Sequence, residues 1–334
     1  MGDLISLVII NWNNLSFIKR CVDSIKIQTY KNIELIFIDN NSSDESFDYF
    51  TKEYSSDGFI AVRNENNLGY AGAANQGINM SHGSYIMIIN PDIVMEENFI
   101  EMLYEGITSK DGVAAVSGKL LKYDFKNDTK LNYIDSAGID MYRSRRCVDR
   151  GQNEPDIGQY ENSEEVFGVC GAAPIYSREA LEKIKVDEQY FDEDFFAYKE
   201  DVDLSWRLNL AGYKCLYYPK AVAYHGRGLG GSRGGVKNFI RNRKGQSEFL
   251  RGISCRNHIM MLYKNETKDS FKRDKINILK REGAFFIYSI LFERFNFKYY
   301  REAMKNKEKM YRKKEVLVQK LNGQTNDVSY LIKE

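Results

Sequence analysis

The segments Leu4-Ile-Ser-Leu-Val-Ile-Ile10 and Ile33-Glu-Leu-Ile-Phe-Ile-Asp39 decide the fold of this chain. Each is a short apolar run that ends in polar residues, which is the pattern of a buried parallel strand. Between them, residues 15–28 carry apolar side chains at helical spacing. Two further runs, Ile60-Ala-Val-Arg63 and Tyr85-Ile-Met-Ile-Ile89, flank a segment rich in small residues. The pattern predicts a βαβαβ half-domain of the nucleotide-binding type.

Length and charge divide the chain into two parts. The 334 residues, 43% apolar and 28% charged, are enough for one large domain with an appendage. Residues 226–334 hold 26 Lys and Arg against 11 Asp and Glu, whereas residues 1–225 hold 22 against 36. We therefore expect an acidic catalytic body over 1–225 and a basic, mainly helical region over 226–334, with residues 226–235 as a hinge or lid.

Cysteine usage and the opening residues bear on location. The five cysteines are scattered and form no Cys-x-x-Cys pair, which is typical of reduced thiols in a cytoplasmic protein. The first residues predict a strand and not a secretory signal. In the basic region, residues 239–264 and 304–321 predict helices, and the apolar run 283–292 is too short to span a bilayer. Its basic flanks favour peripheral contact with an anionic inner membrane leaflet, and core packing or a homodimer contact is the alternative.

Polar clusters follow all four predicted strands. They are Asn11-Trp-Asn-Asn14, Asp39-Asn-Asn-Ser-Ser-Asp44, Asn64-Glu-Asn-Asn-Leu-Gly69 and Asn90-Pro-Asp92. Any one cluster is explained by turn or capping preferences. Four clusters at the carboxyl edge of a parallel sheet indicate a ligand there. The chain has neither the Gly-x-Gly-x-x-Gly fingerprint nor a P-loop.

A second group of candidates lies in Phe195-Phe-Ala-Tyr-Lys-Glu-Asp-Val-Asp-Leu-Ser-Trp-Arg207. Its carboxylates Glu200, Asp201 and Asp203 lie where an aromatic segment meets an amphipathic one, so at least one is a candidate general base. Capping of the following helix is the alternative for one of them. A lone histidine, His225, follows, and such a residue is more often structural than a ligand.

Together these motifs resemble the inverting family 2 glycosyltransferases of the GT-A fold. The resemblance covers about the first 230 residues and rests on Val8-Ile-Ile-Asn-Trp-Asn13, Phe37-Ile-Asp-Asn-Asn-Ser-Ser-Asp44, Asn67-Leu-Gly-Tyr-Ala-Gly-Ala-Ala-Asn75, Asn90-Pro-Asp92, Gly168-Val-Cys-Gly-Ala-Ala-Pro174 and Glu200-Asp-Val-Asp203. The segments Asp135-Ser-Ala-Gly138 and Arg256-Asn257 are similar to a rhamnosyltransferase-like branch. The resemblance implies a Rossmann-like GT-A domain with a mostly parallel central sheet and a C-terminal helical appendage.

The resemblance also implies donor and metal residues. Asn11 and Asp39 would face the nucleobase, and Gly69 and Asn75 would line the ribose and diphosphate. Asn90 stands where the family's Asp-x-Asp element has its first aspartate, which removes one negative charge. The metal ligands implied are Asp92 and His225, with Mg²⁺ or Mn²⁺ as the divalent cation. Two arginines of the glycine-rich loop, Arg227 and Arg233, are expected to meet the diphosphate.

By the same match, Asp201 is the expected catalytic base. The acceptor would contact Gly171, Glu200, Asp203 and Trp206, although a buried helix position is the alternative for Trp206. The implied reaction moves a sugar, L-rhamnose from dTDP-rhamnose, to a glycan or polyprenyl-diphosphate-linked acceptor in surface polysaccharide assembly. A UDP-hexose or UDP-galactofuranose donor is the competing enzyme interpretation.

A non-catalytic nucleotide-sugar or nucleic-acid binding module is the alternative from another class of protein. The aromatic residues of the basic region cluster in an apolar run and do not interleave with basic residues on a sheet face. We therefore expect no nucleic acid partner.

Overall fold

A mixed sheet forms the centre of the molecule in the computed structural model, which describes residues 2–227, 243 and 245–334. Its ten strands in this part of the chain are β1 (Ile5–Asn11), β2 (Ile33–Asp39), β3 (Ile60–Arg63), β4 (Tyr85–Ile89), β5 (Ile93–Met95), β6 (Val113–Asp124), β7 (Thr129–Ser136), β10 (Glu164–Val166), β11 (Ile175–Ser177) and β12 (Lys214–His225). A small second sheet contains β8 (Ile139–Tyr142), β9 (Cys147–Asp149) and β13 (Ile332–Lys333).

The strand order of the large sheet is β10-β12-β6-β11-β4-β1-β2-β3, with β5 paired to β12 and β7 to β6. Strands β1 to β4 are mutually parallel, as the apolar runs predict. The other half of the sheet is mixed, because β11 runs antiparallel to both β4 and β6. Strand β12 runs parallel to β6, so parallel pairing continues in this half beside the antiparallel strands.

Ten α-helices are found in the described residues. They are α1 (Leu15–Lys26), α2 (Ser46–Tyr54), α3 (Gly69–Met80), α4 (Phe99–Thr108), α5 (Arg178–Ile184), α6 (Glu200–Leu210), α7 (Glu248–Asn265), α8 (Lys268–Phe292), α9 (Asn296–Lys305) and α10 (Lys307–Lys320). Helix α7 covers residues 248–264 of the predicted helix over 239–264, and the hydroxyl of Ser247 caps it by accepting from the Leu250 N–H. Residues 239–242 and 244 lie outside the described part of the chain. The predicted helix over 304–321 is interrupted at Asn306.

Alternation along β1 shows how the core is divided. Ile5, Leu7 and Ile9 face a cluster that includes the apolar sides of α1 and α4, whereas Val8 and Ile10 face a cluster with α3, α5 and α6. The period of two therefore gives each face of the sheet its own helical layer.

A third apolar cluster joins α6 to the helices that follow the sheet. Trp206 and Phe195 pack there with Met260, Met261 and Met310. Strand β13 also returns to pair with β8. The body and the basic region thus share a core. Among the described helices, none is both long enough and apolar enough to cross a membrane.

Candidate active site

The ends of β1 and β2 form one polar rim. The Asn11 Nδ2 donates to Asp39 Oδ1 at 2.9 Å and to Ser42 Oγ at 3.1 Å, and the Ser42 N–H donates to Asp39 Oδ2 at 3.0 Å. Arg63 Nε, from the end of β3, is 3.8 Å from Asp39 Oδ2. Asn11 Oδ1 is buried and has no hydrogen-bond partner in the described part of the chain. The rim therefore offers an unused acceptor next to an arginine.

Gly69 begins α3 and allows a close backbone approach. Its φ is +74°, and a Cβ there would come within 2.5 Å of Phe196. The Asn40 side chain holds this turn by donating to the Gly69 carbonyl at 3.0 Å and accepting from the Leu68 N–H at 2.9 Å. Glycine is needed because the conformation is left-handed and no space remains for a side chain. In the structure Gly69 thus packs against Phe196, whereas the sequence analysis expected it to line the ribose and diphosphate.

Asn75 is also committed to protein contacts. Its Oδ1 accepts the N–H groups of Tyr190 and Phe191 at 3.1 and 2.9 Å, and its Nδ2 donates to the Phe191 carbonyl and to Glu193. The side chain links α3 to the segment leading towards the acidic motif. Since all of these contacts are internal, we do not retain Asn75 among the donor residues.

Asp92 and His225 come together as the sequence analysis expects. The Asn90 carbonyl accepts from the Ile93 N–H at 3.2 Å, and the resulting turn presents Asp92 between β4 and β5. His225 ends β12, which pairs with β5, so its Nε2 lies 3.3 Å from Asp92 Oδ1. The other ring nitrogen, Nδ1, is 2.8 Å from Asp135 Oδ2 at the end of β7.

Charge determines the state of His225. Burial lowers its pKa, but the Asp92 charge and the hydrogen bond to Asp135 outweigh that effect and raise the pKa to about 9. The imidazole is therefore a cation between two carboxylates when no metal competes for Nε2.

The Asp92–His225 pair has the spacing of two metal ligands. Adjacent ligands on an octahedral cation with bonds of about 2.1 Å lie about 3 Å apart, close to the observed separation. A carboxylate on the far nitrogen, here Asp135, is the usual support for a metal-binding histidine. No group of three or more His, Cys, Asp or Glu side chains in the described residues is arranged as a ready metal site. These two residues would therefore supply two ligands to a divalent cation, and its other ligands would come from groups outside this pair.

Glu200 and Asp201 form the first turn of α6. Asp201 is partly exposed, and its carboxylate accepts the N–H of Val202 at 2.8 Å and that of Gly171 at 3.3 Å. Burial raises the pKa of Asp201, with Lys199 opposing and Asp149 adding to the effect. The expected acceptor contact at Gly171 is in the structure a backbone support for Asp201.

Asp149 and Arg227 connect the acidic motif to the histidine. Arg227 Nη1 donates to Asp149 Oδ2 at 2.7 Å. Burial raises the pKa of Asp135, but the hydrogen bond from His225 and the charge of Arg227 outweigh it, and the pKa is lowered. The charge of Asp149 raises the pKa of Asp201. These interactions place the two halves of the site in one neighbourhood. Arg233 lies outside the described residues.

Two predicted acceptor residues are buried in the interior. Asp203 is fully buried, with Arg207 Nε and Lys264 Nζ both 2.9 Å from its Oδ2 and Asn265 Nδ2 at 2.7 Å from its Oδ1. Trp206 is 1% exposed and packs edge-on against Phe167. Neither side chain reaches the surface in this structure, so we drop both from the acceptor site. Helical periodicity did not reveal this, because α6 is covered on nearly all sides.

Sequence reasoning assigned no role to Asp135 and did not single out Asp149. Asp135 belongs to the segment 135–138 that contributed to the resemblance, so its contact with His225 had a visible signal. Asp149 lies on the short strand β9, and nothing in the local pattern distinguishes it from other acidic residues. Its place is set by the small second sheet.

The fold and these clustered carboxylates define an α/β domain of the sugar-transferring class. The model of Glycosyl transferase family 2 matches residues 6–185, more than half of the chain. The chain belongs to this family.

Curated relatives and a solved structure agree with this assignment. The chain is 37% identical over 135 residues to glycosyltransferase GlyG of Streptococcus pneumoniae, covering 40% of this chain and 44% of that protein. It is 24% identical over 221 residues to the poly-beta-1,6-N-acetyl-D-glucosamine synthase of Staphylococcus aureus, covering 66% and 49%. In both cases it spans less than half of the relative's length.

The structural comparison adds the fold. The mannosyltransferase PcManGT from Pyrobaculum calidifontis, solved with GDP-Man and Mn²⁺, matches with a TM-score of 0.53 at 15% identity, covering 97% of this chain and 86% of that one. The expectation of a GT-A α/β domain with a helical C-terminal region is confirmed.

Proposed function

We propose that the protein transfers a sugar from a nucleoside diphosphate donor to an acceptor hydroxyl with inversion at the anomeric carbon. The observation that carries the proposal is the joining, in one neighbourhood, of the Asp92–His225 pair with the partly exposed Asp201 carboxylate. Family membership and the relatives named glycosyltransferase support the reaction class.

In the proposed reaction the acceptor oxygen attacks the anomeric carbon from the face opposite the diphosphate. The hydroxyl proton passes to Asp201, the bond from carbon to the diphosphate oxygen breaks, and the diphosphate leaves with the electron pair. A carboxylate whose pKa is raised by burial is a stronger base than an ordinary aspartate, which suits this step. The N–H groups of Gly171 and Val202 hold it in position.

Two groups of residues would recognise the donor: the polar rim at the ends of β1 to β3, and the Asp92–His225 pair. The unused Asn11 Oδ1, buried Asp39 and partly exposed Arg63 favour nucleoside binding at the ends of the first three strands. Asp92 and His225 would hold a divalent cation, Mg²⁺ or Mn²⁺, which supplies positive charge for the departing diphosphate. Arg227 would add a second positive charge on the same side. PcManGT, which shares the fold, was solved with GDP-Man and Mn²⁺, and this supports a nucleotide sugar and a divalent cation as the proposed ligands.

The proposed donor is dTDP-L-rhamnose, with a UDP-hexose or UDP-galactofuranose as the alternative. This rests on the segments 135–138 and 256–257. The proposed acceptor is a glycan or polyprenyl-diphosphate-linked sugar in cell-surface polysaccharide synthesis. The similarity to a poly-beta-1,6-N-acetyl-D-glucosamine synthase supports polysaccharide assembly as the setting.

We also propose that α8 lies on an anionic membrane surface. One side of this helix leaves Ile276, Leu279, Phe286, Ile287, Ile290 and Leu291 exposed, and Phe292 is exposed at its C-terminal end. Exposed basic residues accompany them, namely Lys272, Lys275, Lys280, Arg294 and Lys298. An apolar face with basic neighbours is complementary to anionic lipid and would bring the site close to a lipid-linked acceptor.

The first experiment is a donor panel with the Asp201→Asn variant. Wild-type protein should release a nucleoside diphosphate from one donor in the presence of acceptor. Asp201→Asn should keep donor affinity and lose roughly 10²–10⁴-fold in transfer rate, the usual contribution of a general base. Asp111→Asn, at an exposed loop position, is the matched control. Undiminished transfer by Asp201→Asn would show that another group is the base.

A further inference from the structure

The loop immediately before the acidic motif has an unusual backbone. Phe196, Tyr198 and Lys199 have φ angles of 64°, 69° and 74°, a region that residues other than glycine rarely adopt. The Ala197 N–H donates to the Phe195 carbonyl at 2.7 Å, which makes Phe196 the centre of a tight three-residue turn. Such residues are strained and keep this backbone conformation only where their surroundings enforce it. Glu200 and Asp201 follow directly.

One side chain on α7 enforces this loop. Asn257 is fully buried, and its Nδ2 lies 2.8 Å from each of the carbonyl oxygens of Phe195, Ala197 and Tyr198. The loop turns these carbonyls to a common point, where they have no strand partner. The Asn257 amide therefore replaces the regular backbone pairing that an irregular buried segment lacks.

Arg256 orients that amide. Its Nε donates to Asn257 Oδ1 at 3.0 Å, which fixes the amide with its NH₂ group towards the loop. Its Nη2 donates to the carbonyls of Asp194 and Phe195 at 2.9 and 3.2 Å. From one helix, the pair thus contacts the carbonyls of Asp194, Phe195, Ala197 and Tyr198.

The opposite side of the loop is fixed by α3. The Phe196 carbonyl accepts the Ala71 N–H at 3.2 Å, and Gly69 leaves just enough room for the Phe196 ring. The loop is therefore held between the start of α3 and the middle of α7. Displacement on the α7 side would move the first turn of α6, which carries Asp201.

The geometry points to Asn257, oriented by Arg256, as a positioning residue that holds the 195–199 loop in its left-handed form and thereby fixes the Asp201 carboxylate. The inference rests on the proposed function for its catalytic consequence. Asn257 and Asp201 both lie beyond residues 6–185, the segment that the family model matches.

The test compares three variants. Asn257→Asp keeps the shape but removes both amide hydrogens, and Asn257→Ala removes the side chain. Asn296→Ala is the control, because Asn296 is equally buried and donates two hydrogen bonds within the basic region, to Ser289 and Glu293. We expect faster amide hydrogen exchange at residues 196–203 in both Asn257 variants and unchanged exchange there in Asn296→Ala. This readout requires no turnover.

Kinetics supply the second readout. Both Asn257 variants should lose about tenfold or more in kcat with the donor KM within about twofold, since misplaced catalytic groups affect rate more than binding. Adding Tyr198→Gly to Asn257→Ala should restore part of kcat, because glycine adopts the left-handed conformation without strain.

The outcomes separate the two proposals. Wild-type exchange at 196–203 in Asn257→Asp, or unchanged kcat, would overturn the positioning role. A wild-type protein that releases no nucleoside diphosphate from any donor would overturn the proposed function, and the exchange experiment would still decide whether Asn257 holds the loop.

Discussion

Glu200 and Asp201 are adjacent carboxylates in different surroundings. Asp201 accepts two backbone N–H groups, whereas Glu200 Oε2 is buried without a hydrogen-bond partner in the described part of the chain. Burial and the neighbouring Asp201 charge raise the pKa of Glu200 to about 8, with Lys199 acting in the opposite direction. Near neutral pH Glu200 is therefore largely protonated, whereas the Asp201 carboxylate is the one held by backbone N–H groups.

This difference predicts how stability depends on pH. The folded pKa of Glu200 lies above its ordinary value of 4.5, so the folded state holds an extra proton between pH 4.5 and 8. Its contribution to stability is fully present below 4.5 and declines as pH rises through 8, by on the order of 1 kcal/mol per pH unit. Glu200→Gln cannot ionise at this position. The difference between its free energy of unfolding and that of the wild type should therefore shift in favour of the variant as pH rises.

Urea unfolding at pH 5.5, 6.5 and 7.5 measures this gain. Glu53→Gln, at an exposed position, controls for the loss of a carboxyl group. If the free energies of unfolding of Glu200→Gln and wild type change with pH by the same amount, Glu200 ionises normally.

At the residue scale the sequence predicted contacts better than it predicted exposure. Asp92 and His225 lie together, as the family resemblance implied, and their role as metal ligands stays a prediction. Asp203 and Asn75 were placed in ligand sites, although both are saturated by protein partners far along the chain. Burial of a polar side chain depends on which distant element covers it, and the local sequence does not indicate which element that is.

At the scale of elements, α8 presents an apolar surface to solvent. Ile287 and Leu291 lie one turn apart, with 58% and 65% of their surfaces exposed. Burial of such a side chain contributes about 1.5–3 kcal/mol. Ile287→Glu combined with Leu291→Glu should therefore weaken binding to phosphatidylglycerol vesicles by at least about tenfold, whereas Ile157→Glu, at an exposed loop position, should leave it unchanged.

Vesicle flotation at low and high salt measures this binding. Wild-type protein should bind anionic vesicles more tightly than phosphatidylcholine vesicles, and salt should weaken the difference. If wild type floats with neither vesicle and is instead a dimer that the double variant converts to monomers, the face is an interface between two copies and the membrane proposal is wrong.

For the whole molecule, the sequence predicted the parallel half of the sheet and the helical character of the region after it. It did not predict that β11 inserts antiparallel between β4 and β6, since a three-residue strand carries almost no periodic signal. The shared core was also missed. Trp206 and Met260 belong to one cluster, but their apolar character alone does not indicate which helices meet.

The shared core leads to the last prediction, which concerns truncation after residue 225. Buried Asp192 accepts from Lys264 at 2.7 Å and Lys313 at 2.5 Å, and these two cations hold its pKa below the usual range against the effect of burial. A fragment 1–225 would lose both lysines, leaving a carboxylate without its cations in a site that had been buried, at a cost of about 3–5 kcal/mol for a broken buried pair.

The same fragment would uncover the apolar surface around Trp206. We therefore expect it to unfold without a cooperative transition by circular dichroism, to bind an apolar dye and to lose donor binding, whereas residues 1–334 unfold cooperatively. A fragment that melts cooperatively and binds donor as tightly as the full chain would show that the sheet and its helices fold independently of α7 and α10, and that the ion pairs of Asp192 are dispensable.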